Sequence, residues 1–336
     1  MRQEGHAFVR ATNQQRFPHS AMPPSAHQNV MICYFFSRNI RGNAPLYHFD
    51  GFAMAHSHNI PVVMYHHVTE QGGFLAMSAR QFESQIRGLA EKGYRALKAD
   101  EFASFFKGRP LPRKSILLTF DDGYLDNWVH AHPILERYGM SAILFAITGL
   151  IGNGPARPHA GQGKAVPICL PHRRAKMQMF GNQPDSVMLR WDEVHKMVGA
   201  GTFEIHSHTH THKRWDLECE SASEKMERLR EDLSASRLVL TQQLGDVSSH
   251  LCWPQGYFDA DYKQAAQELG FRHLYTTDAR GQNLPQGDTT HIHRLSGKNW
   301  PFSYLRRRLW LATHPAFGPA YNKWKARSDA QQYRTR

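Results

Sequence analysis

Two short stretches hold most of the chemistry this chain could perform. One is Thr119-Phe120-Asp121-Asp122-Gly123-Tyr124, with adjacent carboxylates. The other is Glu204-Ile205-His206-Ser207-His208-Thr209-His210-Thr211-His212, with four alternating imidazoles. Carboxylates and neutral imidazoles are the donors of a catalytic divalent ion, zinc above all, which leaves a position open for water. Successive strand side chains alternate, so Asp121 and Asp122 face different ways at a strand end. One carboxylate is then free to bind the ion and the other to take a proton from the water. Gly123 permits a sharp turn out of the strand. Both His206/His210 and His208/His212 have i,i+4 spacing, and spacing alone does not choose between them. If the two stretches meet in space, the chain is a metal-dependent hydrolase.

The surrounding pattern supplies elements to bring them together. Ile60–Tyr65 and Ser115–Phe120 are apolar runs suited to buried strands, with the Asp-Asp-Gly at the carboxyl end of the second. Further strands are expected over 141–147, 202–205, 250–253 and 272–276. Between them lie helical patterns. Ser78 with Gln81 reads as a capping box ahead of Phe82, Ile86 and Leu89, and Asp100 as the cap of a second, short helix. A third helix runs to about Glu136, and a fourth covers 191–198. Met226, Leu229, Leu233, Leu240 and Leu244 form the stripe of a long helix over 221–244, closed by Gly245, and 260–269 is the last of the series. Residues 149–187 show little pattern and are expected to form a long loop. Strand–helix alternation argues for a parallel α/β fold, a barrel or a doubly wound sheet, with active residues at the carboxyl ends of the strands.

Composition narrows the class. The chain has 336 residues, 41% hydrophobic and 11% aromatic, enough for a sizeable core, which excludes wholesale disorder. Its net charge of +12 would suit an acidic glycan, an anionic membrane or nucleic acid; a solvated basic surface is the preferred reading, with no nucleic-acid partner. Four cysteines without a CxxC pair exclude a disulfide scaffold. Residues 1–57, rich in Gln, His, Pro, Ser and Asn, are expected to be a disordered or loosely packed leader. The first thirty residues lack the apolar run of a signal peptide, so the expected location is cytoplasmic, with membrane association an option. Residues 298–336 form a basic, aromatic-rich helix and tail. Arg306, Arg307 and Arg308 beside Trp300, Phe302, Tyr304 and Trp310 suit either peripheral membrane contact or a helix docked on the domain with its arginines exposed.

The Thr-Phe-Asp-Asp-Gly and Glu-Ile-x-Ser-His-Thr-x-Thr-His motifs, in that order, resemble those of NodB-type polysaccharide deacetylases (carbohydrate esterase family 4). The resemblance covers about Ile60 to Leu295. It implies a distorted (β/α) barrel over 58–297 and metal-dependent removal of acetyl groups from N-acetylated sugars. Carried over by position, Asp121 matches the catalytic base, Asp122 the metal-binding aspartate, and His208 and His212 the metal histidines. Tyr65-His66 resembles the poly-N-acetylglucosamine deacetylase branch, which makes His66 the general acid in preference to His67. The chain departs from many members in lacking the arginine of the third motif; its segment is Leu251-Cys252-Trp253-Pro254-Gln255-Gly256-Tyr257. Arg294 is the expected substitute that holds the base, with a backbone N–H near Gln255 facing the oxyanion. Trp253, Tyr257 and Tyr124 are candidate floors for a sugar, although core packing accounts equally well for Trp253.

The resulting expectation is a deacetylase with a divalent ion, Zn²⁺ first, acting on an amino-sugar polysaccharide or a lipid-linked glycan precursor. The competing expectation is a catalytically silent glycan- or membrane-binding protein on the same scaffold, motivated by the missing arginine and the basic tail.

Overall fold

The computed structural model describes residues 56–245 and 248–324. The expected leader over 1–57 therefore lies almost wholly outside the described residues, as does the end of the tail from 325.

A curled parallel sheet forms the centre. Its strands are β1 (Val62–Tyr65), β4 (Arg95–Ala96), β5 (Ser115–Asp122), β6 (Ala142–Ala146), β7 (Phe203–Ser207), β8 (His250–Cys252), β9 (His273–Tyr275) and β10 (Leu295–Ser296). They lie in the order β10-β1-β5-β6-β7-β8-β9, with β4 paired to the start of β5. A parallel bridge from Tyr275 to Ile292 ties the β9 edge to the segment that enters β10, and β10 pairs with β1. This is the half-barrel form of the (β/α) barrel expected from the motifs. β5 is buried along its whole length because its apolar run is covered on both faces.

Parallel neighbours need crossovers, and helices supply them. These are α1 (Ala79–Glu91), α2 (Ala99–Phe106), α3 (His132–Arg137), α4 (His172–Met179), α5 (Trp191–Gly199), α6 (Trp215–Glu218), α7 (Ala222–Leu244) and α8 (Ala260–Glu268), while α9 (Phe302–Thr313) follows β10. A π-helical turn, Asn127–Ala131, leads into α3. In α1, Phe82, Ile86 and Leu89 are fully buried, and Phe82 meets Tyr65 and Phe120 edge-on. Each such side chain contributes roughly 1.5–3 kcal/mol of burial. α7 starts at Ser221, whose hydroxyl accepts the Glu224 N–H at 3.1 Å, and ends at Gly245 in the left-handed conformation.

Two local expectations need correction, and one small sheet was not foreseen. The stretch 149–187 contains α4, whose short apolar contacts (Ala175, Met179) are too sparse to give a periodic signal. The cap of α2 is not Asp100. The helix begins at Ala99, the Glu101 carboxylate accepts the Lys98 N–H at 3.0 Å, and Glu204 accepts the Ala99 N–H at 2.7 Å. After β1 the chain also forms a small second sheet, β2 (His67–Thr69) with β3 (Ala76–Ser78), which positions the histidines at 66 and 67.

Candidate active site

Register aligns the carboxyl ends of neighbouring strands. Tyr65 lies beside Phe120, Asp122 beside Ala146, and Ala146 beside Ser207, so His66, the two aspartates and His208 emerge at one level. Asp122 leaves the strand with φ 77°, and Gly123 continues the turn with φ 88°. A left-handed aspartate costs about 1–3 kcal/mol and persists only where its surroundings fix it. Here the turn sends its carboxylate away from that of Asp121.

Asp121 is buried and gripped by Arg294, which is itself buried. Nη1 donates to Oδ1 at 2.7 Å and Nη2 to Oδ2 at 2.8 Å, a bidentate fork. Arg294 Nε donates to the Thr276 carbonyl at 2.7 Å, and Nη2 lies 3.0 Å from the Cys252 sulfur. Burial alone would raise the Asp121 carboxyl; the charge and hydrogen bonds of Arg294 outweigh it and hold the group below the usual carboxylate range. His66 Nε2 lies 3.8 Å from Asp121 Oδ2. Burial pushes the His66 imidazole down, against the pull of Asp121 and Asp122. His67 is committed elsewhere: its Nδ1 pairs with Asp126 at 2.6 Å, and its ring stacks on Tyr124 at 3.8 Å.

Asp122, His208 and His212 converge. Asp122 Oδ1 is 3.3 Å from His208 Nε2 and 3.5 Å from His212 Nε2. A tetrahedral ion with bonds of about 2.0–2.1 Å has ligand–ligand edges of about 3.4 Å, so these three donors suit one divalent ion. The tautomer is set as well. His208 Nδ1 donates to the Cys252 carbonyl at 2.8 Å, which leaves Nε2 as the ring atom facing Asp122. Burial, then His208, lowers the His212 imidazole to about 4, so it is neutral and ligand-competent at pH 7. The other histidine pair is not in the cluster: His206 Nδ1 meets the Ser248 hydroxyl, and His210 Nδ1 meets Thr148 Oγ1 at 3.0 Å.

The histidine loop is held by a residue that sequence reasoning passed over. Asp232, on the buried face of α7, accepts the His210 and Thr211 N–H groups at 2.8 Å each and the Trp215 Nε1–H at 2.9 Å. One turn on, Ser236 Oγ meets Ser207 Oγ at 2.7 Å. The signal was present, since Asp232 and Ser236 sit at core spacing inside the stripe of Leu229, Leu233 and Leu240.

The expected sugar floor needs correction. Trp253 and Tyr124 have at most 1% of their surface exposed, so neither offers a ring face to a sugar. Trp253 packs against Tyr262 and Phe258, and Tyr124 against His67. Gln255 lies in an exposed turn after β8, with φ 57°. Exposed rings stand elsewhere. Phe180, at the end of α4, lies 6.1 Å from the His212 ring. With Phe74, His172, Arg173, Lys176 and Met177 it lines an open groove of about 540 Å³.

The curled parallel half-barrel with its helices matches the NodB-type (β/α) barrel fold. Residues 108–274 match the polysaccharide deacetylase family. These residues form a polysaccharide deacetylase (NodB-type) domain. The poly-beta-1,6-N-acetyl-D-glucosamine N-deacetylase of Staphylococcus aureus is 24% identical over 243 residues, 71% of this chain and 73% of the relative. The fold likeness extends to IcaB from Ammonifex degensii, with TM-score 0.56 and 22% identity over 76% of this chain and 97% of that one. It extends also to the de-N-acetylase of Aggregatibacter actinomycetemcomitans, with TM-score 0.58 and 23% identity over 74% and 99% of the two chains.

Proposed function

We propose that this protein removes N-acetyl groups from a β-linked N-acetylglucosamine polymer in a metal-dependent amide hydrolysis. One observation carries the reading: a bidentate arginine clamp on one aspartate stands beside an aspartate–histidine–histidine cluster that fits a divalent ion. Asp122, His208 and His212 would hold that ion, zinc being the first choice for this donor set. When bound, it supplies charge stabilisation for the polarised acetyl carbonyl and lowers the pKa of a nearby water. Asp121 takes the proton of the attacking water, whose oxygen adds to the acetyl carbon. Arg294 aims the Asp121 carboxylate and keeps it ionised. The C–N bond breaks as His66, in its imidazolium form, donates its proton to the departing nitrogen and becomes neutral, so acetate and a free amine leave. Gln255 is the proposed source of a backbone N–H to the oxyanion. Phe74 and Phe180 replace Trp253 and Tyr124 as the rings against which a sugar would stack.

Arg294 also weighs against a silent binding protein. The third motif lacks its arginine, yet a buried guanidinium, that of Arg294, grips Asp121, a desolvated charge pair with no evident use on a surface that only binds. The test is acetate release from β-1,6-linked N-acetylglucosamine oligomers, with β-1,4-linked and lipid-linked substrates in parallel. Release from none of them by the zinc-loaded protein sinks the reading.

A second partner is proposed on a separate observation. Trp310, Phe317 and Trp324 are about half exposed or more, and Arg306 and Arg307 are exposed on α9. Leu305 and Leu309 dock the same helix on the core. Aromatic side chains with adjacent arginines suit an anionic lipid surface, which would place the enzyme near a membrane-linked glycan. Among the described residues, no helix is long and apolar enough to cross a membrane.

A further inference from the structure

A second carboxylate–imidazole cluster lies on the strap that delivers Arg294. Asp278 follows β9, and His291 and His293 precede β10. Asp278 Oδ2 is 3.3 Å from His291 Nε2 and 3.6 Å from His293 Nδ1. These edges nearly repeat the 3.3 and 3.5 Å of Asp122 with His208 and His212. All three donor atoms lie within 4.8 Å of one another. The roles of the carboxylate oxygens are divided: Oδ1 accepts from Arg280 Nε at 3.0 Å, and Oδ2 is turned to the two rings. His293 Nδ1 is a buried atom whose polar neighbour is the Asp278 carboxylate, beyond hydrogen-bond distance. The packing makes room for this ring. A side chain at position 281 would overlap the His293 imidazole, and the residue there is glycine. The side chains of Asp278, His291 and His293 are 24%, 31% and 24% exposed, so water can complete the coordination.

We propose that Asp278, His291 and His293 bind a second divalent cation of the zinc class, separate from the ion at Asp122. Its place in the fold gives it a structural consequence. The Arg294 N–H donates to the Asp278 carbonyl at 3.0 Å, so the same two segments form this site and carry the arginine that clamps Asp121. A cation here would cross-link the β9 exit to the β10 entry and fix the base of the clamp. Two imidazoles and one carboxylate with open positions suit zinc, cobalt or nickel better than magnesium or calcium.

The test isolates the site from the catalytic cluster. A His208→Ala/His212→Ala variant, stripped with a chelator, is titrated with Zn²⁺ by calorimetry, and bound metal is counted after desalting. The expected result is one ion per chain and a rise in melting temperature. Adding His291→Gln/His293→Gln to that variant abolishes both. A His208→Ala/His212→Ala protein that folds and binds no zinc overturns the proposal, as does binding that survives His291→Gln/His293→Gln. Wild-type crystals loaded with stoichiometric zinc give an independent readout needing no variant. An anomalous peak is expected among Asp278, His291 and His293, and its absence beside a filled Asp122 site rejects the proposal. Neither arm reads acetate release, so failure here is distinct from failure of the deacetylase reading.

Discussion

At residue scale, the site divides its work by direction. Asp121 and Asp122 are consecutive, yet one faces a guanidinium and the other two imidazoles, because Asp122 turns left-handed at the strand end. Asp121→Asn is expected to lower kcat by about 10²–10⁴-fold, the range for a lost general base, with bound zinc unchanged. Parallel metal analysis and turnover check this; wild-type turnover would remove Asp121 from the chemistry. Arg294→Lys keeps the charge and loses the fork. It should lower kcat with KM nearly constant, whereas a purely structural arginine would show altered melting and unaltered kcat. Much of this was legible in the sequence. The Asp-Asp-Gly after an apolar strand and the alternating histidines are local patterns. Choosing His208/His212 over His206/His210 needed the family register, because both pairs share one spacing. The burial of Trp253 and Tyr124 was not legible, since an aromatic beside a motif reads alike whether it faces the sugar or the core.

At element scale, α7 acts as the buttress of the metal loop. Its Asp232 accepts two loop N–H groups and the Trp215 indole at once. Asp232→Ala would leave these buried donors unpaired, at a cost of about 1–3 kcal/mol. Metal affinity should fall about 10–100-fold, as for other outer partners of metal ligands. Chemical unfolding with zinc titration measures both, and an unchanged zinc affinity would confine Asp232 to a packing role. Periodicity reveals elements whose apolar face is long, such as α1 and α7. It misses α4, which buries only two residues, and short parallel pairings such as β2 with β3, three residues each.

At the scale of the whole molecule, buried histidines link stability to acidity. Burial holds His132 and His273 each at about 4, below the ordinary value of 6.5. Between those values the unfolded chain binds more protons than the folded one, so stability falls as pH drops from about 6.5 toward about 4. The metal-free protein should therefore show a falling urea midpoint over this range, and His273→Leu should flatten part of the slope. A midpoint independent of pH would contradict the assignment. The aromatic and basic C-terminal face predicts co-sedimentation with phosphatidylglycerol vesicles that weakens with salt and in Trp310→Ala/Trp324→Ala. Equal binding to neutral vesicles would argue against the charge component.

The most direct measurement is acetate release from an N-acetylglucosamine oligomer by the full chain before chelation, after chelation, and after return of zinc, alongside His208→Ala/His212→Ala. Activity of the wild type is expected to disappear on chelation and to return with the metal, and the variant to show none at any stage. Full activity in chelated protein verified to be metal-free would contradict this expectation.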